Sequence, residues 1–159
     1  MKPNRFAALA AAALCALSFA VTPAPAAASD DDDDDAPRLG RAGLLSGANK
    51  EDLPRITLSA GMPLLDSGEI TLKSGRYYEV VIACDGSAEL AVEGAGFFRA
   101  IWIDEIIIND IEIRAMAVDS IEFDDEGEVE IGFVAVKPGT YELRVPGGGE
   151  SQRVKIVIE

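Results

Sequence analysis

The pattern of apolar and polar positions changes once along the chain, and the change divides it. From Phe6 to Val21 apolar residues run almost unbroken, whereas from Arg55 onward they return at every second position. Arg55-Ile56-Thr57-Leu58 and Glu69-Ile70-Thr71-Leu72 alternate polar with apolar, and Asp66-Ser67-Gly68 and Lys73-Ser74-Gly75 mark turns beside them. A period of two puts successive side chains on opposite faces of a strand, so each segment has one face made for burial. The same reading predicts strands from Arg76 to Ala83, Ala88 to Val92, Ser120 to Phe123, Glu128 to Phe133, Tyr141 to Val145 and Arg153 to Ile158. The stretch Ile101 to Ile108 is dense in β-branched residues and predicts a strand covered on both faces for part of its length. Asn109-Asp110 then turns or bulges it into Ile111-Glu112-Ile113-Arg114.

Many short strands, with no amphipathic helix among them, predict an all-β sandwich. Its core is expected to hold Val129, Ile131, Phe133 and Ala135 from one strand, Tyr141, Leu143 and Val145 from its partner, and Ile156 and Ile158 from the last. Glu128 and Glu130 then face water. Trp102, inside an apolar strand, is expected in the core.

The first apolar run has a different meaning. Lys2 and Arg5 precede it, and small residues at Ala24, Ala26, Ala27 and Ala28 follow it. A basic start, a short apolar middle and small residues near a cleavage point describe a secretory signal peptide over residues 1–28. The run falls short of the roughly 20 apolar residues of a spanning helix. Export to a bacterial periplasm is the expected outcome, with no membrane span after cleavage. Residues 29–53 open with the six adjacent carboxylates Asp30 to Asp35, which repel one another and bury nothing, so a disordered acidic segment is expected there. Residues 54–159 are expected to form one domain.

Charge and cysteine content narrow the function further. The chain carries 14 basic and 28 acidic residues, a net charge of −14, and cleavage would remove only the cations Lys2 and Arg5. Such a field repels nucleic acid and anionic membrane surfaces, and attracts cations or a basic patch on another protein. Loss of the signal would leave Cys84 as the one thiol, which rules out an internal disulfide. It shares a strand face with Tyr78, Val80 and Ile82 and is expected to be a buried, apolar side chain.

The closing stretch Val136-Lys137-Pro138-Gly139-Thr140-Tyr141, entered and left by alternating strands, resembles the last hairpin of cupredoxins. Phe97-Phe98-Arg99-Ala100-Ile101-Trp102-Ile103 similarly looks like a middle strand of bacterial cupredoxin-like proteins. The resemblance covers about Leu72 to Glu159 and implies a Greek-key β-sandwich. In copper-binding members the loop after that hairpin supplies cysteine, histidine and usually methionine, with a second histidine from earlier in the chain. Here Val145 stands near the place of the cysteine, Pro146 to Gln152 offer no ligand, and Asp104, Glu105, Asn109 and Asp110 follow the middle strand. The chain has no histidine. Type 1 copper needs thiolate and imidazole together, and zinc with nitrogen and sulfur ligands fails for the same reason, so no such cofactor is expected.

Hard cations need only oxygen. Asp119, Glu122, Asp124, Asp125, Glu126 and Glu128 flank a turn at Gly127 and are candidate calcium ligands, although their spacing is not that of a twelve-residue calcium loop. Catalytic constellations are missing: there is no histidine base, nucleophile elbow or phosphate loop, so no enzyme is expected. Candidate partner-binding residues are Phe97, Phe98 and Arg99 after Gly94-Ala95-Gly96, and the loop residues Pro146, Gly147 and Gly148. The expectation is an exported, non-catalytic, cupredoxin-like accessory module that docks a periplasmic protein. The alternatives are an acidic protein that binds divalent cations and a diverged copper-binding electron carrier.

Overall fold

A computed structural model of the chain describes residues 40–159. The expected signal peptide and the Asp30 to Asp35 run lie outside the described residues. Two sheets stack face to face. The first contains β1 (Lys50–Asp52), β2 (Ile56–Leu58), β4 (Tyr77–Cys84), β6 (Ile101–Ile108), β7 (Ile111–Ile113) and β9 (Gly127–Ala135). Its order is β1-β4-β9-β6-β7, with β2 also pairing with β4. The second contains β3 (Glu69–Leu72), β5 (Leu90–Glu93), β8 (Ser120–Phe123), β10 (Gly139–Arg144) and β11 (Arg153–Ile158), in the order β3-β11-β10-β5-β8. Both are mixed: β1 and β2 run parallel to β4, and β3 runs parallel to β11.

The expected core is the observed one for most positions. Val129, Ile131, Phe133, Ala135, Leu143, Val145, Ile156 and Ile158 are buried, and Tyr141 packs half-buried against them. Its hydroxyl donates to the Lys137 carbonyl at 2.9 Å, which ties the Pro138-Gly139 turn to the strand that leaves it. A Cβ at Gly139 would lie 2.8 Å from that hydroxyl, so the turn needs glycine. Cys84 is buried on the face it shares with Tyr78, Val80 and Ile82, with Sγ 3.8 Å from the Ala88 carbonyl.

Three expectations require correction. The domain does not begin at residue 54. Lys50–Asp52 already pair with Tyr77–Glu79, and Leu53 donates its N–H to the Glu79 carbonyl at 2.8 Å and packs against the core. Composition suggested disorder, but edge pairing and the Lys50–Glu79 ion pair hold this segment. The second concerns β6, which is not covered on both faces: only Ile103 and Ile106 are buried on it. A register shift between Ile103 and Glu105 leaves Asp104 as the extra residue of a β-bulge. That insertion reverses the alternation, so Ile103 and Ile106 both face inward although three positions apart. The third is Trp102, which pairs with Val134 on the outer face of the first sheet and is 50% exposed. Aromatic burial falls instead to the short helix α1 (Ala95–Phe98), which the alternation did not predict. Phe97 packs edge-on to Phe133 at 5.6 Å between ring centres.

Candidate functional site

Strand register brings several loops to one end of the sandwich. β4 ends at Cys84 opposite Gly127, where β9 begins, so the turn after Cys84 and the turn at Asp124-Asp125-Glu126 are neighbours. A Cβ on Gly86 would meet Asp125 Oδ1 and the Glu126 nitrogen, each at 3.1 Å. Ser87 Oγ accepts from the Ala60 N–H, and the Leu64 N–H donates to the Ser151 carbonyl, which carries the same end across to the loop after β10. The hydroxyls of Ser59 and Ser87, with the Ser87 N–H, hold the Asp85 carboxyl below the usual carboxylate range.

The candidate cation residues separate into those that converge and those that do not. Leu90 pairs with Phe123 and Ala91 with Glu122, so Glu89 stands opposite Asp124 on the next step of the same ladder. Glu89, Glu122 and Asp124 each offer an oxygen within 4.8 Å of the others, and all three are exposed. Like charges facing across a ladder repel, and a hard cation between them would relieve that. The other acids are engaged elsewhere or turn away. Asp119 pairs with Arg99 at 3.1 Å, Glu128 with Arg55, and Asp125 accepts from the Glu126 N–H at 2.8 Å. Glu126 is exposed in the same turn and lies outside the triad. The sequence reading missed Glu89, because only the β5–β8 register brings it to Asp124.

The partner-binding candidates also divide. Phe97 and Phe98 are 2% and 4% exposed, so these rings face the core and present nothing to a partner. Helix α1 turns them inward after Gly94, where a Cβ would lie 2.3 Å from Leu143 Cδ2. Arg99 is exposed and paired with Asp119. Pro146 and Gly147 are exposed and Gly148 is half-buried, in a tight turn closed by the Gly148 N–H to the Val145 carbonyl at 2.9 Å.

The positions that the resemblance assigns to copper ligands carry other chemistry. Val145 is buried and apolar, and Cys84 lies within β4. Met62 is exposed on a loop, and Met116 is fully exposed in the segment that runs back past Trp102. With no histidine in the chain, these residues do not make a type 1 donor set.

Asp104 and Glu105 instead belong to a half-buried polar cluster on the outer face of the first sheet. Gly132 of β9 lies between Glu79 of β4 and Glu105 of β6 in one row. Its missing side chain leaves a notch that the Tyr77 hydroxyl and the Glu105 side chain fill. Tyr77 donates to Asp104 Oδ2 at 3.1 Å, and Arg114 lies 3.1 Å from Glu105 Oε2 and 2.9 Å from Glu112 Oε2. Burial, then the charges of Asp104 and Glu105, push the Tyr77 phenol far above its ordinary value. Burial raises Glu105 as well, against the opposing pull of Arg114. Beside this cluster, a groove of about 390 Å³ is lined by Trp102, Arg114 and Met116.

No protein-family model matches the chain, and no curated protein matches it. Among solved structures, it is similar to a multi-copper oxidase from Pseudomonas Thermotolerans at 13% identity and a TM-score of 0.47, covering 70% of this chain and 30% of that one. A multicopper oxidase from Campylobacter jejuni shows 9% identity and a TM-score of 0.42, with 56% of this chain and 20% of the oxidase covered. An oxidised mutant of amicyanin shows 14% identity and a TM-score of 0.39, with 66% of this chain and 80% of amicyanin covered. The chain therefore spans less than a third of either oxidase. The β-sandwich that a cupredoxin-like chain implies is the architecture observed, and the chain's own strand pairing carries that statement.

Proposed function

We propose that the chain is an exported, non-catalytic, cupredoxin-like accessory module without a type 1 copper site, and that it works by docking a protein partner along the free edge of its first sheet. The observation that supports docking is the surface there. Among the described residues β7 pairs only with β6, and Ile111, Ile113, Trp102 and Met116 stand exposed on or beside it. Asn109 and Asp110 both have positive φ, as the two-residue I′ hairpin turn demands. That turn closes on a hydrogen-bonded pair at Ile108 and Ile111, so by alternation the backbone groups of Glu112 point away from β6. An extended partner segment can pair with them. Asp104, Glu105 and Glu112 surround one cation, Arg114, on this face. The fitting partner is thus a strand that alternates apolar and basic residues.

The test is capture of periplasmic proteins by the mature chain and by two variants, Ile113→Lys and Trp102→Ala. A partner retained by the native chain and by Glu142→Gln, but lost by both edge variants, supports docking at β7. Equal capture by all four proteins refutes it. A second reading, a divalent-cation-binding protein, is favoured by the convergence of Glu89, Glu122 and Asp124. Against the third, a diverged electron carrier, stands the donor set.

A further inference from the structure

Carboxylates outnumber cations two to one in this chain, so cations have abundant partners. Lys50, Arg55, Arg99, Arg114, Arg144, Arg153 and Lys155 each pair with an acid. Among the described residues Arg41, Lys73, Arg76 and Lys137 form no ion pair, and the first three line one cavity of about 420 Å³. One wall of that cavity is the segment from Gly40 to Asn49, whose turns are held by the Asn49 side-chain amide donating to the Gly40 carbonyl at 2.9 Å. The facing wall is the β3–β4 turn, held by the Ser74 N–H to the Glu159 carbonyl at 2.7 Å and the Gly75 N–H to the Ala135 carbonyl at 2.7 Å. Ser74 Oγ donates to the Val136 carbonyl at 2.8 Å, which ties this turn to the end of β9. Hydrogen bonds to backbone carbonyls hold both walls, so the fold gathers these cations.

We propose that this cavity binds a run of peptide carboxylates, and that its occupant is the chain's own Asp30 to Asp35 segment. The overall negative charge repels free anions and favours one that is tethered. Only residues 36–39 separate Asp35 from Gly40 on the cavity wall, and that stretch reaches up to about 17 Å when extended. A tether this short gives the run an effective concentration on the order of millimolar. Six consecutive carboxylates also let several registers satisfy the same cations, so the contact needs no unique geometry.

The test is titration of a free hexa-aspartate peptide at low salt into three full-length mature proteins. These are the native chain, a variant with Asp30 to Asp35 all changed to Asn, and that same variant with Arg41→Gln, Lys73→Gln and Arg76→Gln added. The asparagine variant is expected to bind the peptide. The native chain should bind about tenfold more weakly, because its own run competes. The variant lacking the three cations should not bind, while melting at an unchanged temperature, since these side chains are exposed. No binding by the asparagine variant overturns the site. Equal binding by the native chain shows that the tethered run is not the occupant, and binding that survives loss of the cations places it elsewhere. Either result overturns the proposal.

Discussion

Phe97 and Trp102 sit five positions apart, and their burial makes opposite predictions for the same truncation. Phe97 is 2% exposed, tilted against Phe98 at 5.6 Å and edge-on to Phe133 at 5.6 Å. Phe97→Ala removes a fully enclosed ring and leaves a void beneath helix α1, bounded by residues of both sheets. Such truncations cost about 3–5 kcal/mol, and the aromatic contacts place this one toward the upper part of that range. For a domain of this size that corresponds to a fall in melting temperature of about 10–20 °C. Trp102→Ala removes a half-exposed ring from the outer face of the first sheet and should cost about 1 kcal/mol or less. Urea unfolding followed by circular dichroism gives both numbers on one scale. Because Trp102 is the chain's single tryptophan, its fluorescence also reports its surroundings directly. Red-shifted emission that acrylamide quenches readily is expected. A Trp102→Ala loss equal to that of Phe97→Ala, or blue, unquenched emission, would refute the assignment of the outer face.

Purified mature protein with Cu(II) should remain colourless, a chelator should leave its thermal transition unchanged, and Cys84→Ala should fold with a modest loss of about 1–2 kcal/mol; an intense thiolate-to-copper band that vanishes in that variant would contradict the donor count. Calcium should bind weakly, on the order of 0.1–1 mM, and Glu122→Gln with Asp124→Asn should weaken it further at low salt; tight binding unaffected by the pair would exclude the triad. The folded pKa of Tyr77 is raised above its unfolded value, so its contribution is fully present below about pH 10 and is lost as pH rises toward the folded value. Ultraviolet titration should therefore show late ionisation of the Tyr77 phenol, and Tyr77→Phe should remove both that phase and part of the alkaline loss of stability. A Tyr77→Phe chain with an unchanged titration would place the late phenol elsewhere.

Alternation alone determined the faces of each strand and with them the all-β class, because side-chain direction along a strand follows from backbone geometry and requires no partner. Val129, Ile131 and Phe133 had to share a face, and Cys84 had to share one with Tyr78 and Ile82, before any pairing was known. The absence of imidazole was equally final, since no folding supplies a missing donor. Tertiary structure decided what depends on which strands lie side by side. The bulge at Asp104 reversed the alternation of β6 and set Trp102 half-exposed on the outer face of the first sheet, while a four-residue helix drew Phe97 and Phe98 inward. Glu89 met Asp124 only through the β5–β8 register, and Arg41 met Lys73 and Arg76 only when residues 40–49 closed against the β3–β4 turn. Local pattern encodes the faces of each strand, but a site assembled from distant strands depends on register and packing, which belong to the whole fold.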